Sequence, residues 1–248
     1  MSSRSEHSPY RAKPEGKSLH GRIVRELGLR ILSGELAPGA RLPAESELIE
    51  KYEVSRPVLR EAVRVLAAKG LVLSRQRAGA IVRPSNEWHL LDPDVLYWMI
   101  QTRPAPEFVQ TLMDMRRVFE PGAAALAAQS ASEEQLAGIA QAYEDMVAAT
   151  DADDMLEADL AFHRRIAEAT GNDLMAYIGT MLSLALRESI RLSSRLPNTH
   201  ALSLPRHRAI LTALQNRDAA AAHQATVLQL DATQLDLSAA ISTAINLH

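Results

Sequence analysis

Apolar positions in the first third of the chain switch period twice, and the switches mark out a small domain. Ile23, Leu27 and Ile31 recur every four residues, predicting a helix over residues 19–33 that Gly34 ends before a Pro38-Gly39 turn. Leu48 and Ile49 sit at helical spacing in a short second helix over residues 45–51, with Pro43 set for a helix entrance. Glu53-Val54-Ser55 reads as a tight turn, with Ser55 as N-cap of a third helix. In that helix Val58, Leu59, Ala62, Val63 and Leu66 form one apolar stripe, while Arg56, Arg60 and Arg64 stack on another face at four-residue intervals. Gly70 stops it. The runs 71–73 and 80–82 then read as two short strands flanking a basic, glycine-containing tip from Arg75 to Gly79.

From residue 106 the pattern is helical throughout, alanine-rich and poor in strand signals. Six helices are predicted, over residues 106–130, 132–149, 151–170, 173–194, 201–216 and 218–247, with breaks that carry cap or turn chemistry. Pro121 is expected to kink the first. Short connections between six helices predict an antiparallel bundle. Between the two regions, Pro84-Ser85-Asn86 reads as a linker and Trp88 to Ile100 as a bridging segment with a helix from Pro93. Trp88, Tyr97 and Trp98 are expected to pack a junction there. The first seventeen residues are polar and aperiodic, a mobile tail by composition. The expected architecture is mainly α: a tail (1–17), a winged helix-turn-helix domain (18–84), a linker with bridging helix (85–105) and an all-α bundle (106–248).

Composition narrows the chemistry. With 248 residues the chain can build two ordinary cores, and with no cysteine it can form neither disulfides nor Cys-ligated zinc sites. No window approaches about eighteen uninterrupted apolar residues, and no signal-peptide core is present, so a cytoplasmic protein with no membrane partner is expected. The net charge of −3 hides an asymmetry: residues 1–88 carry 16 Lys and Arg against 10 Asp and Glu, and residues 89–248 carry 11 against 20. A basic front and an acidic back suit one half on nucleic acid and the other facing away.

A helix with an apolar back and an arginine front, preceded by a helix and a tight turn, is what major-groove reading requires. The alternative is a small helical core with a solvated basic face. The spaced residues Gly34-x-Leu36-x-Pro38-Gly39-x-x-Leu42-Pro43-x-Glu45-x-x-Leu48, Val54-Ser55-Arg56-x-x-Leu59-Arg60-Glu61-Ala62, Gly70-Leu71 and Arg77-x-Gly79-x-x-Val82 resemble the winged-helix domain of GntR-family transcription regulators. The resemblance spans about residues 18–84. It implies that Ser55, Arg56, Arg60 and Arg64 face double-stranded operator DNA, with Arg75, Arg77 and Gly79 in the wing.

In the bundle, Asp159 and His163 lie four residues apart on one helix face and could share a metal ion, with His207 on a later helix. A surface hydrogen bond is the competing reading of such a pair. Asp159-x-x-Phe162-His163-x-x-Ile166, Gly171-Asn172 and His207-Arg208-x-Ile210-x-x-Ala213-Leu214-x-x-x-Asp218 are similar to the FCD effector domain of the FadR-type branch of the family. Metal-binding members use an aspartate and three histidines. Asp159, His163 and His207 match three of these ligands, for zinc or a similar divalent ion. The fourth position, 22 residues after His207, is Gln229. His223 is no obvious substitute, because six residues are about 600° of helix, roughly 120° off that face. A glutamine oxygen is a weaker donor than imidazole, so a loosely held metal and direct reading of the effector by Gln229 both stay open.

Arg116 precedes Phe119-Glu120-Pro121 as in the family's Arg-x-x-Leu-Glu-Pro pattern, where the arginine faces the effector cavity. Arg187 and Arg191, after Asn172, offer further guanidinium forks for a carboxylate; surface charge is the alternative. The bridging stretch Trp88-x-x-Leu91-Asp92-x-Asp94-Val95-Leu96-x-Trp98 resembles the junction of a subgroup that includes galactonate repressors. The expected function is therefore a homodimeric regulator on a pseudo-palindromic operator. A small carboxylate, with aldonates and related sugar acids as candidates, would be read by Arg116, Asn172, Arg187 and Gln229. A metal sensor is the alternative. A metal-dependent hydrolase is a more distant one, since no convincing general base accompanies the three ligands.

Overall fold

The computed structural model describes residues 19–75, 79–102, 105–193 and 199–245. They fall into two units, residues 1–103 and 104–248. The first comprises α1 (Leu19–Leu32), α2 (Glu45–Tyr52), α3 (Arg56–Ala68), the strands β1 (Val72–Arg75) and β2 (Gly79–Val82), and α4 (Pro93–Thr102). Its core draws Ile23, Leu27 and Ile31 from α1, Leu48 from α2, and Leu59, Ala62 and Leu66 from α3. Each fully buried Leu or Ile contributes about 1.5–3 kcal/mol.

The α2–α3 turn closes on Glu53, left-handed at φ 52°, whose N–H reaches back to the carbonyls of Glu50 and Ile49. Ser55 holds the N-cap position of α3 with extended backbone, but its side chain makes no capping hydrogen bond. β1 and β2 pair antiparallel in the register Val72↔Val82 to Arg75↔Gly79. Residues 39–42 add a partial third strand, with Leu42 N–H donating to Ala80 O and Val82 N–H to Ala40 O, both at 2.9 Å.

Residues 85–102, expected as a linker and bridge, pack within this first unit. Trp98 is 3% exposed in the same core, with Trp88 against it, while Tyr97 is exposed. A Cβ on Gly28 would lie 2.5 Å from the Trp98 ring, so the glycine admits the indole against α1. Lys69, the C-cap residue of α3, bonds Asp92 at 3.0 Å and Asp94 at 2.5 Å; Asp92 in turn accepts the N–H groups of Asp94 and Val95 at the start of α4. A cation at one helix end meets anions at the start of another, an arrangement both helix dipoles favour.

The second unit is helical throughout its described residues: α5 (Ala105–Ser130), α6 (Glu133–Ala148), α7 (Ala152–Glu168), α8 (Asp173–Ser193), α9 (Thr199–Gln215) and α10 (Ala219–Ile245). Pro121 lies inside α5, which runs as one helix from Ala105 to Ser130. Ser132 and Gln135 form a reciprocal capping box on α6, Asp151 accepts from Asp153 and Asp154 at the start of α7, and Asp218 accepts from Ala221 at the start of α10. Gly171, at φ +68°, ends the α7 region. Alanines keep the helices close: a Cβ on Gly179 of α8 would overlap that of Ala167 on α7. Phe162, Ile139, Met146, Leu211 and Leu214 centre the core. Among the described residues no helix is long and apolar enough to cross a membrane.

Candidate functional site

The first unit presents a basic helix face. Leu59, Ala62 and Leu66 turn α3 inward, which leaves the Arg56, Arg60 and Arg64 side chains outward at 65%, 68% and 78% exposure. Glu45 of α2 lies 3.3 Å from Arg56 Nε and 3.4 Å from Arg60 Nε, and Glu61 pairs with Arg64 at 2.8 Å. Exposed pairs of this kind are worth little, so they orient the guanidinium groups without committing them. Ser55 is exposed beside them. Gly79, at φ +77° with open space around it, starts the second wing strand opposite Arg75. Arg77 and the tail lie outside the described residues, and of Arg75 only the backbone is described.

The second unit brings together the three expected ligands. Asp159 and His163 of α7 and His207 of α9 are all buried, with one donor atom from each within 4.8 Å of the others. His207 is fully buried; its Nδ1 lies 2.9 Å from the Ser203 carbonyl, so the ring donates there and turns its Nε2 inward. His163 Nδ1 lies 3.1 Å from Glu120 Oε2, which fixes that ring in the same sense. The two Nε2 atoms then face each other at 3.4 Å, with Asp159 oxygens 3.2 Å from His207 Nε2 and 3.6 Å from His163 Nε2. Lone pairs and a carboxylate converging on one point call for a cation at the centre, a proton or a metal. Anchoring the outer ring nitrogen to a carboxylate or carbonyl is how metal-binding histidines are oriented.

Glu120 is a member of this cluster that the sequence reading quoted only as part of a motif. Arg116, 1% exposed, grips it through Nε at 2.6 Å and Nη2 at 3.4 Å. Burial alone would raise the Glu120 pKa, but the Arg116 guanidinium and His163 hold it down to about 2. Burial likewise opposes ionisation of Asp159, yet the two histidines keep its pKa below the usual value. Burial would lower His163, but Glu120 and Asp159 raise it above 6.5. Gln229, 4% exposed, places Nε2 3.5 Å from His207 Nε2, and its Oε1 is buried with no hydrogen-bond partner among the described residues. That orphaned oxygen, two oriented imidazoles and an ionised aspartate make a donor set that fits a divalent ion. The cavity beside them, lined in part by Glu120, His163, Ile210 and Thr226, is about 10 Å³, room for about one water.

Two expected effector residues are elsewhere. Asn172 is exposed and caps α8, its Oδ1 accepting from Leu174 at 3.0 Å and Met175 at 3.2 Å. Arg187 turns outward to Glu157 at 2.7 Å, because that face of α8 meets an acidic residue of α7 rather than the interior. The Arg191 side chain lies outside the described residues. Arg116 reaches the cluster through Glu120, its fork already engaged by that carboxylate.

A helix-turn-helix with a wing and an arginine-faced second helix, followed in one chain by a helical domain with a charged interior, defines the class of DNA-binding transcription regulators with a ligand-sensing domain. Comparison with known proteins narrows it. Residues 19–82 match the gntR family of bacterial regulatory proteins, and residues 111–232 match the FCD domain. The chain belongs to the GntR family and carries an FCD domain. It is 33% identical over 215 residues to the galactonate operon transcriptional repressor of Escherichia coli, covering 84% of this chain and 92% of that protein. It is 30% identical over 206 residues to the transcriptional repressor NanR of Klebsiella aerogenes, covering 82% and 78%. The solved structure of Lar, which controls expression of the Listeria monocytogenes agr system, superposes with a TM-score of 0.62 at 21% identity, covering 90% of this chain and 97% of Lar, a likeness of fold.

Proposed function

We propose that this regulator is a repressor whose FCD domain binds a small carboxylate, an aldonate or related sugar acid, through a divalent metal held by Asp159, His163 and His207. The observation that carries the reading is the buried convergence of two oriented Nε2 atoms on the Asp159 carboxylate beside the unpartnered Gln229 oxygen. When bound, a divalent ion would supply a Lewis-acidic centre for a carboxylate or hydroxyl oxygen. Glu120 and Arg116 hold His163 in its ligating orientation, and Gln229 offers an oxygen to the ion or to the effector. The identity to a galactonate operon repressor supports the sugar-acid class. Because the cavity is only about 10 Å³, a sugar acid must part the surrounding helices to enter. Such a ligand shifts the equilibrium only through its preference for the opened state. In the first unit, Arg56 and Arg60 are the proposed base and phosphate contacts, with Ser55 and Arg64 beside them and the wing of Arg75, Arg77 and Gly79 on the adjacent backbone or groove.

A thermal-shift screen against aldonates and small carboxylates, with and without chelator, tests this directly, since a ligand of the native state raises Tm. The expected result is an aldonate shift abolished by chelation and absent in His207→Ala. A shift that survives chelation would remove the metal and leave Gln229 as the reader. Operator release by metal alone would favour the metal-sensor reading, for which the small cavity speaks.

A further inference from the structure

Glu45 stands where fold stability gives it little to do. It is the first residue of α2, and with Leu48 and Tyr52, three and seven positions on, it lies along the face that α2 turns to the core. Leu48 and Tyr52 are buried, whereas Glu45 emerges at the end of that face beside the first turns of α3. There a single oxygen, Oε1, lies 3.3 Å from Arg56 Nε and 3.4 Å from Arg60 Nε. Ion pairs so open to water add little stability. A negative charge at the start of α2 suits the helix dipole, but Glu47 in the same turn supplies one as well.

Towards DNA the carboxylate has a drawback and a use. It weakens the pull of both arginines on phosphate, and with Glu61 against Arg64 the three arginines of the α3 face meet two carboxylates. A face that only clamped the backbone would gain from neither acid. The use lies in which nitrogen is approached. In both arginines the closest contact is through Nε, the nitrogen next to the aliphatic stem. Approach on that edge leaves the outward N–H bonds of the terminal Nη pair directed away from the carboxylate. This outward fork is the one that meets N7 and O6 of guanine in the major groove. One oxygen facing both Nε atoms also sets the two forks relative to each other, which reduces the side-chain freedom lost when they dock.

We propose that Glu45 is a specificity-determining positioning residue, which aims the Arg56 and Arg60 forks at guanine edges and withholds them from phosphate. This rests on the reading of α3 as the helix in the major groove, so the test carries a separate control for that reading.

Selection of bound duplexes from a library with a randomised central segment supplies the probe. Fluorescence anisotropy on the enriched duplex, and on an unrelated duplex of equal length, then gives a specificity ratio. Wild type is expected to enrich a sequence whose contacted positions include guanine. Replacing that guanine by 7-deazaguanine, which removes N7 and keeps Watson–Crick pairing, should weaken binding by about tenfold. Glu45→Ala should bind the unrelated duplex at least as tightly as wild type does. Its specificity ratio should fall by about tenfold, the worth of one bidentate contact, and most of its response to 7-deazaguanine should disappear. Glu45→Gln removes the charge at constant shape and should move in the same direction, which covers any disturbance of α2 by alanine. A residue that merely supported α2 would lower the melting temperature and leave both readouts alone. Arg60→Ala separates the two claims. If it changes nothing, α3 is not the reading helix and both claims fall. If it destroys selectivity while both Glu45 variants keep the wild-type ratio and 7-deazaguanine response, only the role of Glu45 falls.

Discussion

Glu120 shows how much of the candidate site depends on one carboxylate. It bonds Arg116 on its own helix and His163 on α7, so it both neutralises a buried guanidinium and sets which histidine nitrogen faces inward. Removing its charge leaves Arg116 buried without a counter-ion, and breaking a buried pair in this way costs about 3–5 kcal/mol. Its folded pKa of about 2 lies below the ordinary 4.5. The stability it contributes is therefore present above pH 4.5 and lost as pH falls towards 2, on the order of 3 kcal/mol over that range. Glu120→Gln should be much less stable than wild type to urea at pH 7 in the presence of chelator. That gap should narrow as the pH is lowered from 4.5 to 2.5; a gap independent of pH would mean that Glu120 is not the titrating group.

At the scale of elements, close packing is set by small residues where helices meet. Gly179 lets α8 approach Ala167 of α7, the helix that carries Asp159 and His163. Gly179→Ala gains up to about 1 kcal/mol of helix propensity, but its Cβ would overlap one fixed to the facing helix, and overpacking costs about 1–3 kcal/mol. The expected net effect is destabilisation by about 1 kcal/mol or more, read as a lower urea midpoint with an unchanged slope; equal or greater stability would mean that α7 and α8 separate easily. α4 is the other element whose place depends on packing. Linker-like composition around Pro84 suggested a bridge, yet Trp98 enters the first core beside Gly28, and Lys69 ties Asp92 and Asp94 to the end of α3.

For the whole molecule, the division of charge along the chain makes a kinetic and thermodynamic statement about DNA. The arginines of α3 are exposed and only loosely paired, so they are available to phosphates and base edges. Affinity for operator DNA should fall with added salt at a slope near −0.9 per phosphate neutralised. Arg60→Ala should weaken operator binding by about 1–3 kcal/mol, and if Arg60 contacts phosphate the slope should flatten by about one. Fluorescence anisotropy across a salt series separates the cases: weaker binding at an unchanged slope points to a base contact, and unchanged affinity would remove α3 as the reading helix.

Much of this protein was legible in its sequence because the determining interactions are local. Four-residue apolar spacing, capping residues and glycine stops gave the helices within a few residues of their ends, since those signals act within one or two turns of chain. The motif of Asp159, His163 and His207 was legible too, as residue types at family spacing. Other features depended on residues far apart in sequence. Whether Arg187 and Asn172 face the interior is decided by Glu157 and by the α8 cap. Glu120 becomes part of the cluster only because α5 lies against α7. The small cavity and the unpartnered Gln229 oxygen are properties of volume and burial, and these exist only once helices distant in the chain have been packed together.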